Sequence, residues 1–512
     1  MASSLQDVTA YLLLIITIAT LGPLQFGFHL AELNAPEDVI TCRAHTVSTT
    51  IGRMLSSITG RGDSPPPLDC IPMTSSEFAA VTAIFTIGGL IGALAAGPTT
   101  SARGRWLSMQ MTAACFLGGS LVETFSSTRI ALSVGRFLTG LGAGASTVIV
   151  PLYISEVAPP AQRGFFGSFT QISINVGILF TQTLGYFLSH DSTWRWILAS
   201  GIAIAGAQTL GLLLVPESPA WTASNTGDMV QARRVLQRIR GKQANIDDEV
   251  FAWGLGPGVL SEEERLLAAT EHGNPGDDVA PRSPSEPRQQ SDKGHLGFVQ
   301  VLRDPLTRPA IIAVVGIMFA QQLCGINSII MYSVSLLKDL LPVSSAFLTI
   351  MISIINLGTT MGASPLPDKL GRKTCLLISI LGQGTSSLIL ALSILFEVKI
   401  LSAITVLFFV AFFAIGLGPV PFILASELVG PEAVGATQSW ALGANYIATF
   451  LVAYLFPIIN EALNKEFGGA GWVYFIFAGF ALVWAVFIKH SVPETRGKKD
   501  ADEVWGRARR VD

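Results

Sequence analysis

The sequence predicts an all-α membrane protein with twelve transmembrane helices, arranged as two pseudo-symmetric six-helix bundles. First, half of the 512 residues are hydrophobic and only 13% are charged, about half the charged share of a soluble domain. Second, apolar segments of about 20 residues, long enough to cross a bilayer, recur along the whole chain. Third, short polar motifs repeat between the two halves.

The apolar segments number twelve, and each is predicted to be one membrane-spanning helix. They cover residues 9–30, 77–98, 106–124, 130–152, 165–188, 195–214, 308–332, 343–364, 374–394, 400–424, 437–459 and 470–489.

Two long polar stretches interrupt this series, and the second of them divides the spans six and six. We therefore expect a first bundle at 1–215, a linker at 216–306 that is partly helical and partly disordered, a second bundle at 307–490, and a tail at 491–512. An even number of spans places both termini on one side. Most of the 33 lysines and arginines fall on that side, which predicts that it is the cytoplasm.

Three motifs repeat in order at an offset of about 270 residues. Arg105 corresponds to Arg372, Glu156 to Glu427, and the PES of 216–218 to the PET of 493–495. Parallel repeats of six helices are typical of transporters whose substrate site lies at the repeat interface near the bilayer midplane.

An uncharged run in the seventh span carries three amides, Gln321, Gln322 and Asn327, with Gly325 among them. Amides inside a membrane are costly unless they face protein, water or a ligand. One interpretation is that they hydrogen-bond neighbouring helices to each other. The other is that they form a surface for a ligand rich in hydroxyl groups, and the residues alone leave both open.

Charged side chains near the span ends suggest a set of ion pairs, which we call the latch. Arg136 lies inside the fourth span and needs a carboxylate partner at that depth. The pairs are expected to form when the cytoplasmic side is closed and to break when it opens, the alternative being that they only fix topology. The latch residues are Arg105, Arg136, Glu156, Arg163, Asp368, Arg372 and Glu427.

The five cysteines show no metal-ligand spacing. Cys42 and Cys70 share one loop outside the membrane, and a disulfide between them can form if that loop faces an oxidising compartment. The sequence has no nucleophile–base pair, no metal motif, no phosphate-binding loop and no basic stripe for nucleic acid. We therefore predict a non-enzyme with no cofactor and no metal.

Several stretches together resemble the sugar porter family of the major facilitator superfamily, and within it the facilitative glucose-transporter-like branch. They run through nearly the whole chain in family order: LQFGFHLAELNAP at 24–36, GRFLTGLGAG at 135–144, PLYISEVAPPAQRG at 151–164, PESPAW at 216–221, QQLCGINSIIMYS at 321–333, DKLGRK at 368–373, GLGPVPFILASE at 416–427 and PETRG at 493–497. The resemblance implies the major facilitator fold and alternating access to a central site for a monosaccharide.

The resemblance also implies which side chains contact the sugar. The family's amides match Gln171, Gln321, Gln322, Asn327, Asn356 and Asn445. Amides suit this task because each can donate to and accept from hydroxyl groups without carrying charge. Tyr332 and Phe26 match gate or pocket aromatics, and Phe422 replaces a tryptophan of the pattern.

Departures from the family pattern leave the mode of action open. His29 stands where proton-coupled members carry an aspartate and facilitators usually carry an asparagine, and a histidine can titrate in an acidic compartment. On the cytoplasmic side, Ala102, Trp106 and Ala220 replace basic residues of the pattern. We expect facilitated transport of a hexose such as glucose, with a proton symporter using His29 and a transporter-derived sugar sensor as the alternatives.

Two sequence features concern the compartment. Glu262, Leu266 and Leu267 form an acidic dileucine pattern of the kind that sorting machinery recognises, and no N-x-S/T sequon occurs. These features are consistent with a vacuolar or endosomal membrane and with the plasma membrane.

Overall fold

The computed structural model describes most of the chain, and every regular element in the described part is a helix. The described residues are 8–42, 70–159, 162–190, 193–241, 244–251, 300–337, 345–430, 433–498 and 501–506. The predicted sorting pattern at Glu262, Leu266 and Leu267 and the predicted disorder in the linker lie outside them.

The described part of the first half contains six long helices. They are α1 (Ala10–Ala31), α2 (Ser75–Arg103), α3 (Arg105–Thr124), α4 (Arg129–Val157), α5 (Arg163–Leu188) and α6 (Trp194–Gly211, continued by a 3-10 turn at Leu212–Leu214). A short helix at Glu37–Ile40 follows α1.

The linker forms an amphipathic helix, α7 (Met229–Arg240), flanked by short helical segments at Pro219–Trp221, Thr222–Thr226, Asp247–Phe251 and Gln300–Arg303. The second half contains α8 (Arg308–Leu323), α9 (Ile326–Leu337), α10 (Ser345–Ala363), a short helix at Leu366–Leu370, α11 (Arg372–Leu395), α12 (Lys399–Ile415), α13 (Val420–Glu427), α14 (Val434–Phe467) and α15 (Val473–Ser491), with a last turn at Ala501–Val504.

Each of the twelve predicted spans coincides with a helix or a helix pair. Nine helical stretches in the described residues are long and apolar enough to cross a membrane, or ten when the bent pair α8–α9 is counted as one span. The two remaining segments, α3 and α5, fall outside this group. Helix α3 carries the buried polar residues Thr112, Ser120 and Glu123, which lower its apolar character.

Two spans that the sequence predicts as continuous are broken in the structure. The seventh bends by 40° between α8 and α9, where Gly325 has a φ of +97° that favours glycine. A Cβ at this position would lie 2.6 Å from the ring of Phe477. The tenth span breaks at residues 416–419, where Gly416, Gly418 and Pro419 interrupt the helix between α12 and α13.

Helices α2 and α4 pack backbone to backbone through glycines. A Cβ on Gly144 would lie 1.8 Å from the carbonyl oxygen of Gly89, and one on Gly92 would lie 2.1 Å from that of Leu141. Small residues at such contacts let membrane helices approach closely. This part of the first half is therefore tightly fixed.

We expect Gly144→Ala to lower the free energy of unfolding by about 1–3 kcal/mol, because the added methyl group forces α2 and α4 apart. The midpoint of thermal unfolding in detergent measures the loss. The matched control is Gly97→Ala on α2, where a Cβ meets nothing within 4 Å. Equal midpoints for the two variants would show that the contact is not tight.

The two halves meet through fewer helix pairs. Helix α2 packs against α14, α5 against α10, and α1 against α9. At the first of these, the side chain of Tyr446 lies over Gly89. This contact between the halves thus involves a side chain that can change rotamer.

Candidate functional site

A chain of amide side chains links the broken seventh span to α14, and we call it the first amide network. Asn327 donates from Nδ2 to Oε1 of Gln322 at 2.6 Å and to Oγ1 of Thr449 at 3.3 Å. Gln322 donates to Oε1 of Gln321 at 3.2 Å, and Asn445 donates to the same oxygen at 2.5 Å. The three amides of the seventh span therefore lie together, as the sequence analysis expects.

Gln321 also holds the break of the tenth span. Its Nε2 donates to the carbonyl oxygens of Leu417 at 2.5 Å and Gly418 at 3.3 Å. Both of its donors and its acceptor oxygen are thus used by protein groups. In this conformation Gln321 acts as the interhelical contact that the sequence left as one alternative, whereas Asn327 and Asn445 accept no hydrogen bond at Oδ1 from any described residue.

A second amide network joins the two halves through α5 and α10. Gln171 donates to Oδ1 of Asn175 at 3.2 Å, and Asn175 donates to Oγ1 of Thr360 at 2.9 Å. Thr360 lies 3.5 Å from Oδ1 of Asn356. Asn175 and Thr360 were not predicted from the sequence, although each stands four residues after a predicted amide and so shares its helix face.

The three predicted aromatics lie in different surroundings. Tyr332 is buried, donates from its hydroxyl group to the carbonyl oxygen of Ala453 at 2.7 Å, and stacks on Phe456 with the ring centroids 5.8 Å apart. Phe26 stacks on Phe85, and their centroids are 6.1 Å apart. Phe422 lies on α13 just after the break of the tenth span and is exposed.

Within each half, the latch residues form one matching ion pair. Arg105 binds Glu156 with two hydrogen bonds of 2.9 and 2.7 Å. Arg372 binds Glu427 with bonds of 3.2 and 2.9 Å, and it also pairs with Asp368 at 2.9 Å. These pairs lie at the face of the bundle where α1 begins and α15 ends, which we call the terminal face.

Arg163 does not join these pairs. Its side chain is exposed, and it lies within ion-pair distance of no carboxylate among the described residues.

The glutamates of the PES and PET motifs were not predicted as functional, yet they complete the latch. Glu217 accepts hydrogen bonds from the backbone N–H groups of Arg105 at 2.8 Å and Trp106 at 3.2 Å. Glu494 accepts in the same way from Arg372 at 2.8 Å and Lys373 at 3.1 Å. Each carboxylate thus caps the N-terminus of a helix, a position that favours negative charge.

A glycine precedes each capped helix and makes room for the carboxylate. Gly104 has a φ of +88° and Gly371 a φ of +100°. A Cβ would lie 2.2 Å from the carboxylate of Glu217 at the first position and 2.4 Å from that of Glu494 at the second. The repeat of PES and PET at nearly the same offset as Arg105 and Arg372 was the signal that could have identified both caps.

Arg136 does not belong to the latch, and the sequence-based grouping was wrong on this point. It lies 20 residues before Glu156 on α4, which is about 30 Å along a helix. Its Nη1 donates to Oε1 of Glu32 at 2.5 Å and to the carbonyl oxygen of His29 at 2.6 Å. The carboxylate partner that a buried arginine needs is therefore Glu32, near the face opposite the terminal face.

The loop after α1 is closed by a disulfide between Cys42 and Cys70, whose Cα atoms are 5.4 Å apart. Ile71 donates from its N–H to the carbonyl oxygen of Ile40 at 2.8 Å. The disulfide and this hydrogen bond together connect the segment before α2 to the short helix that follows α1.

Comparison with known proteins identifies the family. The sequence profile of the family described as "Sugar (and other) transporter" matches residues 15–254 and 261–504. The chain belongs to this sugar transporter family of the major facilitator superfamily. The fold class that the sequence predicts is thereby confirmed, and so is the resemblance from which the site residues were taken.

Among the relatives of this sugar transporter is a probable metabolite transport protein of Saccharomyces cerevisiae. It is 36% identical over 503 residues, which cover 97% of this chain and 96% of the relative. The human solute carrier family 2 facilitated glucose transporter member 3 is 30% identical over 510 residues, covering 97% of this chain and 92% of the relative.

A solved structure, the E. coli xylose transporter XylE in a partially occluded inward-open conformation, superposes with a TM-score of 0.70. It is 24% identical, and the match covers 96% of this chain and all of the other. At this identity the likeness establishes the fold of the sugar transporter and not its substrate. The family consists of transporters and not of enzymes, in agreement with the sequence prediction.

Proposed function

We propose that this sugar transporter carries a hexose such as glucose by facilitated, alternating access. The observation that supports this most directly is the two uncharged amide networks, of which the first lies within the second half and the second joins the two halves. A hexose presents hydroxyl groups that both donate and accept, as amides do. Gln322, Asn327 and Asn445 in the first network and Gln171 and Asn356 in the second are the proposed contacts. Tyr332, Phe26 and Phe422 are the proposed aromatics.

Polar contacts close the face opposite the terminal face. Asn34, just after α1, donates to the carbonyl oxygen of Ile330 on α9 at 2.9 Å, and Gln182 on α5 lies 3.5 Å from the same oxygen. The ion pairs Arg105–Glu156 and Arg372–Glu427 at the terminal face each stay within one half. These contacts support a conformation closed at the opposite face, in which the latch pairs stiffen each half separately.

The orientation follows from charge and redox chemistry. We propose that the terminal face, with both chain termini, lies in the cytoplasm, where the lysines and arginines are concentrated. The Cys42–Cys70 disulfide then lies on the extracellular or lumenal side, where such bonds persist. The dileucine pattern at Glu262, Leu266 and Leu267 would meet sorting machinery in the cytoplasm and direct the protein to a vacuolar or endosomal membrane, with the plasma membrane as the alternative.

Asn327→Ala is expected to lower kcat/KM for hexose uptake into liposomes by about tenfold or more, because it removes hydrogen bonds worth about 1.4 kcal/mol or more at the site. Radiolabelled glucose influx measures the effect. The control is Gln110→Ala, which removes a half-buried amide of α3 that makes one long hydrogen bond among the described residues, to the carbonyl oxygen of Thr209 at 3.5 Å. Unchanged uptake by the Asn327 variant would remove this residue from the site.

Gln321→Ala is a poorer test of binding, since Gln321 also supports the break between α12 and α13. The same liposomes distinguish the sensor hypothesis from the carrier hypothesis. A protein that binds labelled glucose but exchanges none across the bilayer would be a sensor.

A further inference from the structure

Four ionisable side chains from three helices of the first half meet in its interior, and we call them the outer cluster. His29 and Glu32 come from the end of α1, Glu123 from the end of α3 and Arg136 from α4. Each is at most 1% exposed. His29 and Glu32 are hydrogen-bonded, with Nδ1 2.9 Å from Oε2, and Glu32 also binds Arg136 at 2.5 Å.

The charges of the outer cluster do not balance by themselves. Two carboxylates and one guanidinium group leave one negative charge when the imidazole is neutral. A net charge buried in a membrane protein costs several kcal/mol and normally finds a compensating partner. One bound proton would cancel this charge.

The geometry indicates where such a proton would bind. Glu123 accepts a hydrogen bond at Oε1 from Thr139 at 2.8 Å. Its second oxygen, Oε2, is buried, has no hydrogen-bond partner among the described residues, and lies 4.0 Å from Nδ1 of His29. A carboxylate oxygen that is buried without a donor is unfavourable, whereas a protonated oxygen could itself donate.

We propose that the outer cluster binds one proton on Glu123, shared with Glu32, while the outer side of the transporter is closed, and releases it when that side opens. Binding forms an O–H bond at Oε2 of Glu123 with a proton from outside water, and release returns the proton to the same water. This inference rests on the proposed transport function and adds a proton-binding site to it. It differs from coupling through His29, which here is hydrogen-bonded to Glu32.

The outer cluster is connected to the contacts that close the outer side. Glu32 lies two residues before Asn34, which binds α9 across the interface. The guanidinium carbon of Arg136 lies 4.5 Å from the ring centroid of Phe85, and Phe85 stacks on Phe26. Separation of α1 from α9 would therefore disturb the cluster and admit water, which solvates the ionised acid.

Other charged or titratable groups near the cluster come from the neighbouring elements. Glu37 lies on the short helix after α1, and Tyr332 lies on α9 of the second half. On α6, Arg195 donates to the carbonyl oxygens of Thr124 at 2.7 Å and Ser126 at 2.9 Å at the end of α3. Glu37 and Arg195 carry opposite charges, so together they do not change the net negative charge of the outer cluster.

The sign of the pH effect follows from linkage. The closed-outside state binds the proton more tightly than the open state, so outside acid favours the closed state. Fewer transporters then face outward to take up sugar, and the apparent KM for outside hexose rises. Inside pH has no such effect, because the cluster lies near the outer ends of α1 and α3.

The test is glucose influx into liposomes that contain the protein in one orientation, with inside pH fixed and outside pH varied from about 5 to about 8. The wild type is expected to show a rise in apparent KM of about tenfold toward acid, and Glu123→Gln less than about twofold. The control is Glu77→Gln, since Glu77 is an exposed glutamate paired with Arg129 outside the cluster, and it should respond like the wild type. Glu32→Gln serves if the first variant does not fold.

Three results would overturn the proposal. One is an apparent KM of the wild type that does not change with outside pH, or a change in KM with pH that Glu123→Gln and Glu32→Gln both retain. A second is a response that disappears with a chelator, since the donor atoms of His29, Glu32 and Glu123 lie within 4.8 Å of one another and a divalent cation would then be the occupant. The third is uphill accumulation of glucose driven by the pH gradient, which would make the protein a symporter.

A failure of the transport function is distinguished by a second measurement. If no variant moves glucose, the pH dependence of the thermal unfolding midpoint still reports the proton. The wild type should gain stability toward acid relative to Glu123→Gln. Parallel curves for the two proteins would overturn the proton site independently of any transport.

Discussion

Arg136→Leu is expected to leave little folded protein. The substitution removes the only positive charge that directly contacts Glu32 among the described residues and leaves two buried acids facing each other. Breaking a buried ion pair from one side costs about 3–5 kcal/mol, a large fraction of the stability of most domains. Fluorescence-detected size exclusion in detergent and the thermal unfolding midpoint measure the loss.

A control variant and a double variant test whether the loss comes from the unpaired buried charge. Arg129→Leu removes an exposed arginine from the start of the same helix, where surface ion pairs contribute about 0–1 kcal/mol, and should fold normally. The double variant Arg136→Leu with Glu32→Leu removes both charges and should recover much of the lost stability. Normal folding of Arg136→Leu alone would mean that the outer cluster is not held together by charge.

Glu217→Ala and Glu494→Ala are expected to produce the second largest effect, each lowering the free energy of unfolding by about 2–4 kcal/mol. Each change leaves backbone N–H groups at a helix start without their acceptor, and hydrogen bonds to a charged group contribute about 1.5–3 kcal/mol each. Because both carboxylates are half-buried, solvent replaces part of the loss.

Transport and stability should fall together in these two variants. The loss of the cap loosens the helix start that positions Arg105 or Arg372 toward its ion-pair partner. The thermal midpoint and glucose influx measure the two effects, and Glu466→Ala, an exposed glutamate near the end of α14, is the control. Wild-type behaviour of either variant would show that its carboxylate has no structural role.

The sequence predicted the helices and their repeat well because both depend on local composition. Apolar length located a helix or helix pair for each of the twelve predicted spans, and the nearly constant offset of three motifs located the repeat. It did not predict the breaks at Gly325 and at 416–419, because a break depends on what packs against it, such as the ring of Phe477.

The candidate site was predictable where the amides are local to one helix and unpredictable where distant helices meet. Glu123 was not singled out, because a single acid at the end of α3 resembles an ordinary helix end. Its importance comes from α1 and α4, which place Glu32 and Arg136 beside it. Arg136 was assigned to the wrong end of the bundle because its partner stands 104 residues away in sequence.

The first amide network has a consequence for affinity. Gln322, Asn327 and Asn445 hydrogen-bond to neighbouring side chains, so a sugar that binds to these amides exchanges one set of hydrogen bonds for another. Such an exchange yields only about 0.5–1.5 kcal/mol for each bond, which favours dissociation constants near the millimolar range, about −4 kcal/mol in total. A site of this kind would be occupied only at high sugar concentrations and would release the sugar quickly. Fast release allows a transporter to have a high turnover rate.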